Sequence, residues 1–256
     1  MSLILDDDIQ DIAVEAGAIV LENGGETYRS EETVVRVARS LGAKEAHSFV
    51  TPTVVLFSWV NDKGRHFVNM KRIYTRCTNL KKLAMVNDLS HQVEWSGRTE
   101  DPKHLRELLH RIETSNVYPD RHIILAAALS SCFFTLMFGG TYIDAACALV
   151  FGILLRIMVM FAERVPLNIF IVSLLSGSLV SILAEISVLF PFPMNKNIVM
   201  IGTLMQVVPG LALTNAIRDL ISGDLMAGSA RLMEAVIIAG ALSAGAVTGM
   251  LLAGIL

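Results

Sequence analysis

The chain has 256 residues, of which 53% are hydrophobic and only 18% charged, with a mean hydropathy of +0.56. Soluble domains sit near 45–50% apolar and about 25% charged, so one ordinary soluble domain is excluded. The net charge of −3 leaves no electrostatic footprint for nucleic acid, and Cys77, Cys132 and Cys147 form neither a C-x-x-C pair nor a metal-ligand spacing.

The charge is unevenly placed. Residues 1–120 hold 15 Lys/Arg and 18 Asp/Glu, against 6 and 6 in residues 121–256, so the whole excess of −3 lies in the first part. This pattern predicts a soluble part over 1–120 followed by a membrane-embedded part over 121–256; the element and loop-charge patterns that follow make these an N-terminal cytoplasmic α+β domain and an α-helical membrane domain.

The N-terminus, MSLILDDDIQ, is acidic and lacks the basic start and long apolar core of a cleaved signal peptide. A first helix follows, with early acidic residues, apolar positions at helical spacing and an Asn23-Gly24-Gly25 stop. A second helix is expected from Glu26 to Gly42. The stretch from Ser48 to Ile73 reads as two strands around Asn61-Asp62-Lys63-Gly64, a hairpin signal. Two amphipathic helices, near 77–95 and 101–114, lead to the membrane part.

Crossing about 30 Å of hydrocarbon takes roughly 20 apolar residues in a helix. Five segments qualify: 123–143, 145–162, 165–187, 197–217 and 235–256. Arg121, Arg164, Arg218 and Arg231 fall on one side of this arrangement and Lys196 on the other. The positive-inside rule then places the N-terminus in the cytoplasm and the C-terminus outside the plasma membrane.

The fourth segment carries Gly202, Gln206, Gly210, Thr214, Arg218 and Ser222 at i+4 spacing, around a break at Pro209-Gly210. An ionisable group at mid-membrane costs about 2.5 kcal/mol or more, so this row is expected to face protein or a wet cavity. Pro209 removes a backbone N–H, and broken helices expose backbone groups to substrate in many transporters. The alternative is a packing kink. Glu185, ending the third segment, reads either as a coupling or substrate contact or as an interface residue. Arg156 in the second reads either as a carboxylate partner or as a side chain reaching for the cytoplasmic surface. The small-residue spacing of Gly245 and Gly249 predicts close helix packing. No ATP-binding loop, zinc-hydrolase motif or nucleophile elbow is present, so neither an enzyme nor a cofactor is expected.

Three stretches, AGAIVLENGGETYRSEETVVRVARSLG at 16–42, TPTVVLFSW at 51–59 and VPGLALTNAIRDLISGDLMAGSARLMEA at 208–235, resemble the threonine/serine exporter family of bacterial membrane proteins. That resemblance implies a secondary transporter. It marks Pro209, Gly210, Thr214, Asn215, Arg218, Asp219, Gly223 and Asp224 as signature positions, with Gly25, Glu26, Thr27 and Arg29 in the N-terminal domain. Family members typically have about ten membrane helices, so a five-helix chain resembles the larger subunit of the split form, associated with succinate export.

The function expected is gradient-driven export of a small polar metabolite, threonine or serine first and a C4-dicarboxylate second. A second, smaller membrane subunit or self-assembly would complete the pathway. The rival reading is a membrane-anchored enzyme or regulator acting through residues 1–120. In its favour, Gly25, Glu26, Thr27 and Arg29 lie at a helix start where an anion could bind; a plain helix–turn–helix with a glycine stop is the alternative.

Overall fold

The computed structural model describes residues 5–96, 101–115, 118–165, 167–187 and 194–255. These fall into two compact units: Met1–Val117 with Leu211–Leu232, and Tyr118–Gly210 with Met233–Leu256.

The first unit is α+β. Helix α1 (Asp6–Glu22) is its centre, with Ile12, Ala13, Ile19 and Leu21 almost wholly buried. Asp8 steadies its start by accepting the Leu5 N–H. Its end is set by Asn23, whose side-chain amide bonds back to the Ile19 carbonyl, and by Gly24 at φ +88°. That left-handed conformation favours glycine. Helix α2 (Thr27–Leu41) starts on the next turn and stops at Gly42, φ +111°. Helices α3 (Leu80–Ser96) and α4 (Pro102–Thr114) complete the helical layer, α4 capped by Asp101 and opened by Pro102.

Three antiparallel strands, β1 (Lys44–Thr51), β2 (Val54–Val60) and β3 (His66–Arg72), pair in sequence order. The sequence reading expects two strands where there are three. Pro52 lies in a tight turn between Thr51 and Val54, so the apolar run from Ser48 folds back on itself before the Asn61–Gly64 turn. Phe57 and Trp59 point into the core while Phe49, Leu56 and Met70 line up across the opposite face.

The second unit is helical. It contains α5 (Asp120–Met137), α6 (Tyr142–Glu163), α7 (Ile169–Ser187), α8 (Lys196–Leu204) and most of α10 (Leu225–Ile255). Contacts that only glycine permits set its packing. A Cβ on Gly152 would overlap Ser131, and one on Gly202 would overlap Thr135. Gly177, Gly245 and Gly249 let α7 and α10 meet backbone to backbone, and the Ser178 hydroxyl donates to the Gly245 carbonyl at 3.0 Å. At the ends of the helices, Asp144 accepts from Thr141 and from the Asn195 N–H, while Lys196 pairs with both oxygens of Glu185.

Four helices among the described residues are long and apolar enough to cross a membrane: α5, α6, α7 and α10. The fifth segment expected, 197–217, is two short helices. Helix α8 stops at Leu204, residues 205–209 are non-helical, and α9 (Gly210–Ile221) begins after Pro209. Proline cannot donate to the preceding turn and pushes the residue before it out of helical geometry, so the break falls where the chemistry requires. Leu211–Leu232 then belongs to the first unit.

Candidate functional site

In the first unit, α9 and the start of α10 close on the Asn23–Thr27 turn between α1 and α2. The two helices pack tightly because Gly228 sits against Leu220 and the Ala216 carbonyl. That leaves Asn215 and Asp219, one turn apart on α9, beside Arg231 of α10. Asn215 donates its amide to the Gly24 carbonyl at 3.0 Å, and Arg231 donates to the Gly25 carbonyl at 2.8 Å. Two carbonyls near the end of α1 thereby find donors.

Next to them lies a buried polar node. Thr27 donates to Asp219 Oδ1 at 2.8 Å, and its hydroxyl is 3.4 Å from Asp224 Oδ2. Asp219 is 0% exposed and its second oxygen stands 3.3 Å from Arg231 Nε, on a residue 5% exposed. Glu26 is buried and holds two guanidiniums, Arg218 through Oε1 and Arg29 through Oε2 at 3.2 Å. The Arg29 pKa is pushed up, first by its bond to the Tyr28 hydroxyl and then by Glu26. One turn along α2 from Thr27, Glu31 accepts the Val50 N–H at 2.9 Å. Burial pushes the Glu31 carboxyl up, the Val50 bond opposes this, and Asp224 and Asp219 add to the rise.

Of the residues singled out from sequence, Asn215, Arg218, Asp219, Asp224, Gly25, Glu26, Thr27 and Arg29 thus come together in one unit. Thr214 and Gly210 are exposed on α9, and Gly223 makes the turn into α10 at φ +93°. Gln206 lies elsewhere, in the second unit. Its amide reaches Ser131 Oγ and the Gly152 carbonyl, both at 3.3 Å, tying the end of α8 to α5 and α6. Beside it, Thr203 Oγ1 is buried with no hydrogen-bond partner among the described residues. Arg156 is 3.6 Å from Glu163 near the end of α6, and Glu185 is engaged by Lys196.

Sequence reasoning missed Arg231 and Glu31. Arg231 is seven residues after Asp224, with Ala227 and Gly228 between, the spacing of one helix face. That signal was present. Among the described residues no group of three His, Cys, Asp or Glu side chains is placed to hold a metal ion.

The four long apolar helices among the described residues, together with the family match, make this a multi-pass membrane protein of the transporter class. The family model described as "Putative threonine/serine exporter" matches residues 11–253, and the chain belongs to that family. It is 23% identical over 252 residues to the "Probable succinate transporter subunit YjjP" of Klebsiella aerogenes, covering 95% of this chain and 93% of that protein. The Escherichia coli K12 protein of the same name is 23% identical over 231 residues, 86% of this chain and 85% of the other. No solved structure matches.

Proposed function

We propose that the chain is one subunit of a gradient-driven exporter in the bacterial plasma membrane, moving a small carboxylate-bearing metabolite outward. The observation that carries this is the family match over nearly the whole chain, with relatives of similar length named as succinate transporter subunits. Their names favour a C4-dicarboxylate; the family description favours threonine or serine as the second reading.

On this reading the first unit is cytoplasmic and the chain crosses the membrane five times. Support comes from connectivity. Both Met1–Val117 and Leu211–Leu232 belong to the first unit, and the reading takes the chain to be on one side of the membrane at both points. Three crossings by α5, α6 and α7 would leave it on the far side. The return then falls to α8 and the non-helical residues after it, a broken segment of the kind tolerated in membranes where it is buried in protein or lines a cavity. Helix α10 makes the last crossing and the C-terminus lies outside. A smaller multi-pass subunit, or further copies of this chain, completes the route.

The test is metabolite efflux from cells expressing the chain with and without a candidate small subunit, with succinate, threonine and serine measured outside. Efflux of one of them that requires both proteins supports the reading. Efflux by the purified, reconstituted chain as a monomer removes the partner, and no efflux of any of the three removes the exporter.

A further inference from the structure

The Glu26 side chain is held as a ligand would be held. Its two oxygens are divided between two guanidiniums, Arg218 on Oε1 and Arg29 on Oε2. The carboxylate is buried at 8% side-chain exposure, whereas the Arg29 and Arg218 side chains are 48% and 47% exposed. The anion is therefore covered while its cations remain open to water. Each guanidinium has five N–H donors. Arg218 makes its bond to Glu26 through Nη1 alone, and the Arg29 Nε is shared between Glu26 and the Tyr28 hydroxyl. The remaining donors have no protein partner among the described residues. Charge-assisted contacts between arginine and carboxylate are the strong, geometrically specific ones.

Resting on the exporter reading, we propose that Arg218 and Arg29 form a carboxylate-binding site for the transported metabolite, and that Glu26 is its internal occupant. An incoming carboxylate takes the place of Glu26 on the two arginines. The exchange replaces one anion with another, so the local charge balance is kept. Among the described residues no other group bonds the Glu26 side chain: it stands just before α2, yet makes no capping bond there. Of the carboxylates nearby, Asp219 is already engaged by Arg231 and by the Thr27 hydroxyl, and Asp224 faces that same hydroxyl at 3.4 Å. The site reads a carboxylate. The rest of the molecule, methylene and second carboxylate or amine and hydroxyl, is left to other contacts.

This makes a prediction opposite in sign to that for a merely structural ion pair. Removing the internal competitor should tighten binding. Purified full-length chain in mild detergent is titrated with labelled succinate and, separately, labelled threonine, with threoninol as the amino alcohol lacking a carboxylate. Glu26→Gln should bind the carboxylate ligand on the order of tenfold more tightly than the unaltered chain, and Arg29→Ala or Arg218→Ala about tenfold more weakly. Threoninol should not bind. Whichever of succinate or threonine responds identifies the source of the carboxylate. Weaker or unchanged binding by Glu26→Gln, equal binding of threoninol, or no binding to any form overturns the assignment. If Arg218→Ala does not fold, Arg29→Ala on its half-exposed surface gives the same reading. Efflux is scored independently: export without these binding changes sinks the site but spares the exporter, and binding without export does the reverse.

Discussion

Thr27 donates a 2.8 Å hydrogen bond to Asp219, 192 positions later in the chain, and both residues are fully buried. Asp219 in turn faces Arg231, so a buried carboxylate is balanced by one hydroxyl and one guanidinium. Breaking a buried pair by deleting one partner strands the other charge, at a cost of about 3–5 kcal/mol. Asp219→Ala should therefore lower unfolding stability by that order, and Thr27→Val by about 1–3 kcal/mol for the lost hydroxyl. Denaturant unfolding of the chain, followed by the tryptophan emission to which buried Trp59 contributes, measures both. Equal and small losses would mean the node is not buried as described.

Glu31 gives a pH signature. Its carboxyl is raised above the ordinary value of 4.5, chiefly by burial, with Asp224 and Asp219 adding to it. A raised carboxyl means the folded state holds the proton more tightly than the unfolded state. The stability it contributes is complete below 4.5 and is lost as pH rises through the raised value. Glu31→Gln keeps an acceptor for the Val50 N–H and has no charge to bury. The variant should be more stable than the parent near neutral pH and lose less stability between 4.5 and neutrality. Glu22 is also raised by burial, so only the difference between the two proteins isolates Glu31. Identical melting-versus-pH curves would contradict this.

Reporter fusions decide the topology. A reporter placed at Ser115 should report the cytoplasm and one placed after residue 256 the outside. Both on the same side would leave only an even number of crossings and remove the return through α8.

The α7–α10 contact has no room for a side chain. At Gly245 a Cβ would overlap the Leu174 carbonyl, which is backbone and cannot swing away. Gly245→Leu should cost at least the 1–3 kcal/mol typical of overpacking, seen as lower melting temperature and aggregation in detergent. Gly240→Leu is the control, since nothing lies within 4 Å of a Cβ there. Similar behaviour of the two variants would show that the contact is not close.

Much of this architecture is legible in the residues. The Asn23-Gly24-Gly25 stop, the Asn61–Gly64 hairpin and the apolar lengths of α5, α6, α7 and α10 are local signals, and local signals decide them. The strand β1 was hidden because Pro52 breaks a run that otherwise looks continuous. Residues 197–217 are long and apolar enough to count as one span, yet Pro209 divides them and the second piece packs with a different unit. Hydropathy does not register what a helix end is bonded to. The site was legible as two separate stretches, around Glu26 and around Asp219. That they meet is tertiary information, and no periodicity within either stretch contains it. Arg231 illustrates the limit: its spacing from Asp224 marks a face, but only Asp219 explains why that face needs a cation.

The first unit is interrupted by the second in sequence, and this has a consequence during synthesis. When residue 117 leaves the ribosome, Thr27 and the carbonyls of Gly24 and Gly25 lack the partners that hold them in the finished fold and Glu26 has Arg29 but not Arg218, because those partners lie in Leu211–Leu232. Everything from Tyr118 to Gly210 must be translated first. At bacterial-scale elongation of about 5–20 residues per second, that is a delay on the order of ten seconds. Throughout it the nascent domain carries an open polar seam, closed only when Asn215, Arg218, Asp219 and finally Arg231 arrive. A fragment cut at residue 117 would keep that seam open permanently, and a soluble version of the domain needs Leu211–Leu232 spliced back on.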